Sequence, residues 1–170
     1  MEIILFRHAK KGFMPFEDPS LSPQGLLQSR SLPDTVQNLK LPEPTALWVS
    51  EKIRTHQTFQ YLGECYKIPL TVKAELNLRM DRESATMFTQ RVQAFIEQLS
   101  LSTGKTKEKS CIYLCTHYDW IETAMTLIPC DTNLNSFEFA HWAPAQFIHF
   151  MVEAHKDEKI WKYLRKGSQS

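Results

Sequence analysis

The chain has 170 residues, of which 42% are hydrophobic and 23% charged, and carries a net charge of +1. That is the composition of a soluble globular protein and the length of a single domain, taken here as residues 1–170, able to bury a proper core. So small a net charge supplies no cationic field for nucleic acid or an anionic membrane, and no apolar run reaches bilayer-spanning length.

Ile3-Ile4-Leu5-Phe6 is a continuous apolar run and predicts a buried first strand. Met1-Glu2 leads straight into it without a basic segment or cleavage site, so no secretion signal is read and the cytoplasm is expected. Residues 9–21 contain Gly12, Pro15 and Pro19 and read as a loop. Ser22-Pro23 starts a helix, with Ser as N-cap and Pro in the first turn, running through Leu26, Leu27 and Arg30 and disturbed or reset near Pro33. Pro42 and Pro44 mark a turn before a second strand, Ala46-Leu47-Trp48-Val49.

Residues 52–66 follow as a helix with Phe59, Leu62 and Tyr66 on one stripe, and Pro69-Leu70-Thr71-Val72 is a third short strand. Residues 84–99 have the cleanest helical period, through Phe88, Val92, Phe95, Ile96 and Leu99. Ser102 to Ser110 is polar and lysine-rich, a surface loop, before a fourth strand from Cys111 to Cys115. A helix with Ile121, Ala124, Met125 and Ile128 inward comes next. Gln146 to Val152 and Lys159 to Tyr163 complete the chain as an antiparallel pair. Strands alternating with helices predict an α/β domain with a largely parallel sheet.

The four cysteines, Cys65, Cys111, Cys115 and Cys130, read as small apolar fillers in a reducing compartment. Cys111 and Cys115 share a strand face but lie too far apart to bridge, and no spacing suits zinc. Trp48, Trp120, Trp142 and Trp161 are dispersed, with no stacking stripe of the kind single-stranded nucleic acid requires. Phe137, Phe139, His141 and Trp142 read as core, with one pocket wall as their other use.

Chemistry-bearing residues fall at strand ends, where open α/β sheets place ligands. Arg7-His8-Ala9 follows the first strand, offering a guanidinium fork and an imidazole. Ser50 to Thr58 opens the second helix with Arg54 and free backbone N–H groups. Thr116-His117 closes the fourth strand, with Asp119 just beyond. Three cationic or imidazole groups at three strand ends form what a phosphate pocket requires. Lys10 and Lys11 read as solvated loop lysines that would also attract an anion.

These motifs resemble those of the histidine phosphatases, the phosphoglycerate mutase-like superfamily. Arg7-His8-Ala9 matches the family's Arg-His-Gly/Ala, and Leu21-Ser22-Pro23-Gln24-Gly25 its Leu-Thr/Ser-x-x-Gly helix start. Ser50, Arg54, Thr55, Gln57 and Thr58 match Ser-x-x-x-Arg-Thr-x-Gln-Thr, and His117 the late histidine, with Thr116 where Gly or Ser is common. The resemblance implies a three-layer sandwich about a largely parallel sheet, and a phosphatase that forms a covalent phosphohistidine at His8. Arg7, Arg54 and His117 would hold the phosphoryl oxygens, without metal or cofactor, and His117 would be protonated once phosphate is bound.

Many members place a glutamate after the third strand as general acid. Glu75, Asp81 and Glu83 stand near that place, with Glu75 ranked first; an alternative register puts Leu78 there, and Asp119 is a further candidate. Without an acid, good leaving groups such as a phosphohistidine imidazole or an acidic phenol are favoured. The implied substrate is a phosphorylated small molecule or a phosphoprotein, the short chain resembling the small bacterial phosphohistidine protein phosphatases. The rival readings are a phosphate-binding protein on the same fold without turnover, and a phosphoglycerate-type mutase.

Overall fold

A computed structural model describes residues 1–102, 110–155 and 158–168. Residues 103–109, most of the polar loop expected before the fourth strand, lie outside the described residues. In chain order the elements are β1 (Glu2–Arg7), α1 (Pro23–Asn38), β2 (Ala46–Val49), α2 (Ile53–Tyr66) and β3 (Leu70–Val72). These are followed by α3 (Ala85–Ser102), β4 (Cys111–Thr116), α4 (Tyr118–Leu127), β5 (Phe147–His155) and β6 (Glu158–Gly167). The six strands form one sheet in the order β3-β2-β4-β1-β5-β6. β1 to β4 run parallel to one another, while β5 and β6 close one side as the expected antiparallel pair.

Both faces of the sheet are covered, which is why β1 and β4 are apolar without alternation. Ile4, Phe6, Tyr113, Cys111 and Cys115 face α1 and α2, meeting Leu32, Val36, Phe59 and Leu62. Ile3, Leu5, Ile112 and Leu114 face the other way, onto Phe88, Val92 and Phe95 of α3 and Trp120 and Ile121 of α4. The result is the three-layer α/β sandwich. Cys111 and Cys115 are free and packed in the core as fillers; burial pushes the Cys111 thiol up to about 12 and raises that of Cys115 as well. Phe139 and Trp142 are core residues, whereas Phe137 is exposed. No helix among the described residues is long and apolar enough to cross a membrane.

Pro33 departs from expectation. It sits inside α1, which runs unbroken from Pro23 to Asn38. An interior proline costs a helix ~3 kcal/mol, but Leu32 and Val36 on either side of it are fully buried against the sheet. Burying two such side chains stabilises by ~1.5–3 kcal/mol each, enough to carry the helix through.

The start of α1 has a steric reason for its glycine. The Ser22 side chain caps the helix by accepting from the Gly25 N–H at 3.1 Å, and the Ser22 N–H donates to the Lys10 carbonyl at 2.9 Å. This presses the loop after β1 onto the first helical turn. A Cβ on Gly25 would lie 2.0 Å from the Lys10 carbonyl oxygen, a backbone atom that cannot yield without moving the loop. Gly25→Ala is therefore expected to destabilise the protein by about 2 kcal/mol or more, measured as a lowered midpoint in urea unfolding with the slope unchanged.

Candidate active site

The carboxyl ends of β1, β2 and β4 lie side by side, so the segments that leave them meet at one edge of the sheet. The chain after β1 is held on both flanks. The Arg7 N–H donates to the Gln146 carbonyl and the His8 N–H to the Thr116 carbonyl, each at 2.9 Å. The His8 ring donates from Nδ1 to the Ala9 carbonyl at 2.7 Å, a bond that leaves Nε2 as the bare lone pair. His8 retains only 5% of its surface. Burial, reinforced by the Arg54, Arg7 and Lys11 charges, pushes its pKa down to about 3, so the ring is neutral at pH 7.

His117 stands beside it, with ring centroids 5.3 Å apart. Arg54 Nη2 donates to His117 Nδ1 at 3.1 Å, which fixes the proton on Nε2, and Nε2 donates to Ser50 Oγ at 2.8 Å. Burial, then the neighbouring His8 and Arg54, hold His117 well below the usual imidazole range. The free site thus keeps His117 neutral, and the protonated His117 expected with phosphate requires proton uptake on binding.

Both guanidiniums are incompletely satisfied. Arg54 donates from Nη1 to Asp18 Oδ1 at 3.2 Å, and Arg7 from Nη1 to the Trp142 carbonyl, with its guanidinium 5.2 Å from the Tyr118 ring centroid. The Nε atoms of both are buried and without a hydrogen-bond partner. Buried unpaired donors are costly, by ~1–3 kcal/mol each, and both of these belong to cations that flank the His8 imidazole. Arg7, His8, Arg54 and His117 are therefore brought together.

The remaining motif residues hold this cluster in place. Thr58 Oγ1 accepts from the Ala9 N–H at 3.0 Å and donates to the Arg54 carbonyl at 2.6 Å, tying the loop after β1 to α2. Gln57 accepts from the Leu21 N–H at 2.8 Å. Thr55 Oγ1 donates to the Lys52 carbonyl at 2.8 Å and lies 3.1 Å from Ser50 Oγ, closing the first turn of α2. Thr116 donates to the Leu76 carbonyl at 2.6 Å, so it braces a neighbouring segment rather than this cluster.

A cleft of about 380 Å³ adjoins the cluster through Arg54. Lys11, Lys52 and Arg79 add cationic charge to it, Glu17 and Asp81 add carboxylates, and Phe13, Phe16, Leu78 and Met80 supply apolar wall. Phe13 and Phe16 are 90% and 87% exposed.

The carboxylates separate by position. Glu75 lies in a short 3-10 turn, Ala74–Leu76, whose Leu76 is buried and whose Glu75 carbonyl accepts from Trp120 and Arg91. The chain reaches the cleft only at Leu78. Glu83 is bonded through both oxygens to Arg91 at 2.8 Å, and that bond holds its carboxyl below the usual range, ionised and unable to donate a proton. Asp119 accepts from the Arg79 and Trp120 N–H groups at 2.8 and 2.9 Å. Asp81 alone of the sequence candidates lines the cleft; Glu17, which sequence reading missed, joins it. Asp18, also missed, accepts from both Arg54 and the Ile53 N–H at the start of α2. Its place in a proline-rich loop gave no periodicity to read.

The buried imidazoles make folding sensitive to acid. His8, His117 and His149 all have lowered folded-state pKa values, burial being the main cause in each. Below pH about 6.5 the unfolded chain takes up protons that the folded rings do not, so stability present above that pH is lost as pH falls. Each ring that stays neutral contributes a slope of about 1.4 kcal/mol per pH unit. Urea unfolding from pH 7 to pH 5 is expected to show falling stability, and His8→Asn to show a shallower fall by that amount.

No protein-family model and no curated protein sequence matches the chain. Solved structures do. Mycobacterial hydrolase 1 superposes with a TM-score of 0.75 at 15% identity, covering 99% of both chains. The mycobacterial glucosyl-3-phosphoglycerate phosphatase complexed with VO3 gives 0.73 at 14%, again over 99% of each. The protein histidine phosphatase SixA complexed with tungstate gives 0.66 at 14%, over 99% of this chain and 97% of that one. Likeness across whole chains at such low identity is a likeness of fold. The chain has the phosphoglycerate mutase-like fold of the histidine phosphatases.

Proposed function

We propose that the protein is a histidine phosphatase that hydrolyses a phosphomonoester or phosphoramidate through a covalent phosphohistidine at His8. One observation carries the reading: a neutral, nearly buried imidazole with a bare Nε2 lies beside two guanidiniums whose buried Nε donors lack partners. A phosphoryl group bound at Nε2 would lie beside both cations. Arg7 and Arg54 neutralise its equatorial oxygens, and His117, freed from Arg54 by the anion, adds a further donor. His8 Nε2 attacks phosphorus, the P–O or P–N bond to the leaving group breaks, and water then displaces the imidazole to release phosphate. The Nδ1–H bond to the Ala9 carbonyl keeps the attacking nitrogen unprotonated and supports positive charge on the ring as it forms.

The leaving group departs on the side of Leu78 to Asp81. Leu78 stands on that side and Glu83 is bonded to Arg91 and held ionised, so the reading favours substrates whose leaving group needs little protonation, with the cleft-lining Asp81 as the carboxylate for that role. The exposed Phe13 and Phe16 at the rim suit a bulky phosphate carrier, a phosphoprotein or a large phosphorylated small molecule, more than a small sugar acid. The four free cysteines fit a cytoplasmic protein.

Hydrolysis of p-nitrophenyl phosphate is expected to fall by roughly three orders of magnitude or more in His8→Ala and by about a hundredfold or more in Arg54→Ala. Rapid acid-free quenching should trap a base-stable phosphoryl label on the wild type and none on His8→Ala. Phosphate binding without His8-dependent turnover would instead identify a binding protein. Across a series of aryl phosphates, kcat/KM is expected to decline steeply as the phenol pKa rises, and Asp81→Asn to steepen the decline if Asp81 donates the proton. A flat series would contradict the leaving-group assignment.

A further inference from the structure

We infer that Arg91 is a positioning residue that sets the leaving-group wall of the cleft, and with it the discrimination among phosphate carriers; this rests on the anion site proposed above. Arg91 projects from α3, outside the three strand-end motifs, and touches neither the imidazoles nor the guanidiniums of the site. Its guanidinium has five N–H donors, and five bonds use them. Nε and Nη2 each donate at 2.8 Å to the two Glu83 oxygens, Nη1 to the carbonyls of Glu75 at 2.7 Å and Asn77 at 3.1 Å, and Nη2 to the Leu78 carbonyl at 3.3 Å. The carbon at its centre lies 5.0 Å from the Phe88 ring centroid, which fixes the plane of the fork.

Three backbone carbonyls within residues 75–78 and the far end of the same loop are thus bound to one rigid cation. The residues between these anchors, Leu78 to Asp81, are the ones that form the cleft wall. The loop has other ties: the Asn77 side chain accepts from the Glu51 N–H and donates to the Glu51 carboxylate, and the Arg79 N–H donates to Asp119. Those ties hold its inner edge toward β2 and α4. The loop is also braced within itself, Arg79 Nε donating to the Glu83 carbonyl at 2.9 Å and the Met80 N–H to the Glu83 carboxylate at 3.2 Å. Among the described residues Arg91 is the side chain that bonds both the carbonyl row at 75–78 and Glu83, and so sets how far the Leu78 and Asp81 side of the loop stands from Arg54. A lysine has no planar fork and cannot reach a carboxylate and three carbonyls at once.

The arrangement separates two properties. The phosphoryl floor, Arg7, His8, Arg54 and His117, hangs on β1, α2 and β4, while the wall hangs on Arg91. Loosening Arg91 should therefore weaken recognition of what the phosphate is attached to, and spare recognition of the phosphate.

The test compares binding of inorganic phosphate and of phenylphosphonate, which cannot be hydrolysed, to wild type, Arg91→Lys and Glu83→Gln by titration calorimetry. Arg91→Lys is expected to weaken phenylphosphonate five- to tenfold with inorganic phosphate within twofold, and Glu83→Gln to shift the ratio in the same direction by less. KM for p-nitrophenyl phosphate should rise in parallel. Equal weakening of both ligands, or no change in either in a folded variant, overturns the proposal. A wild type that binds both ligands but never hydrolyses an aryl phosphate refutes the phosphatase reading and leaves the ratio to decide Arg91. A wild type that binds neither ligand overturns both.

Discussion

Two buried imidazoles and the buried Arg54 guanidinium share one corner of this protein with the half-buried Arg7, and among the described residues the carboxylate ion-paired to them is the partly exposed Asp18. Burial disfavours a charged ring and the arginine charges add to it, so the imidazoles give way while the guanidiniums stay charged. That constraint sets most of the site's chemistry. It makes both rings neutral, it puts the His8 proton on Nδ1 against the Ala9 carbonyl, and it makes His117 an acceptor toward Arg54. A nucleophilic nitrogen at neutral pH follows from electrostatics, with no base to remove a proton. In the same corner the Nε donors of both arginines are left without a partner.

Holding such a cluster costs stability, and the surrounding structure offsets it with neutral hydrogen bonds and apolar burial. Thr58, Gln57 and the Ser22 cap lash the loop after β1 to the helices beside it, and Gly25 lets that loop lie against α1. The sheet contributes direction. Parallel β1, β2 and β4 end at the same edge, so residues about 45 and 110 positions apart in sequence meet there without any long connection. On the outer side, Arg91 gathers the segment from Glu75 to Glu83 into a wall. Floor and wall are built from different parts of the chain.

Much of the fold was legible because both faces of the sheet are buried. Continuous apolar runs such as Ile3 to Phe6 and Cys111 to Cys115 have few other uses, and the period through Phe88, Val92 and Phe95 admits only a helix. Pro33 misled because propensity is a local quantity, while the burial of Leu32 and Val36 that overrides it is a tertiary one. The carboxylates could not be ranked from sequence for a similar reason. Glu75, Asp81 and Glu83 sit within nine residues, and nothing in their spacing tells which faces the cleft. A 3-10 turn, a buried Leu76 and an arginine from a later helix decide it.

The sequence by itself determined the layered architecture and the four residues that meet at the sheet edge, because strand order in a parallel sheet brings successive carboxyl ends to one side and motifs at those ends travel with them. The tertiary structure alone decided the protonation of the two rings, the unpaired donors on the two arginines and the identity of the wall. Each of these depends on desolvation or on hydrogen bonds between residues distant in the chain, and neither quantity exists until the chain has closed around them.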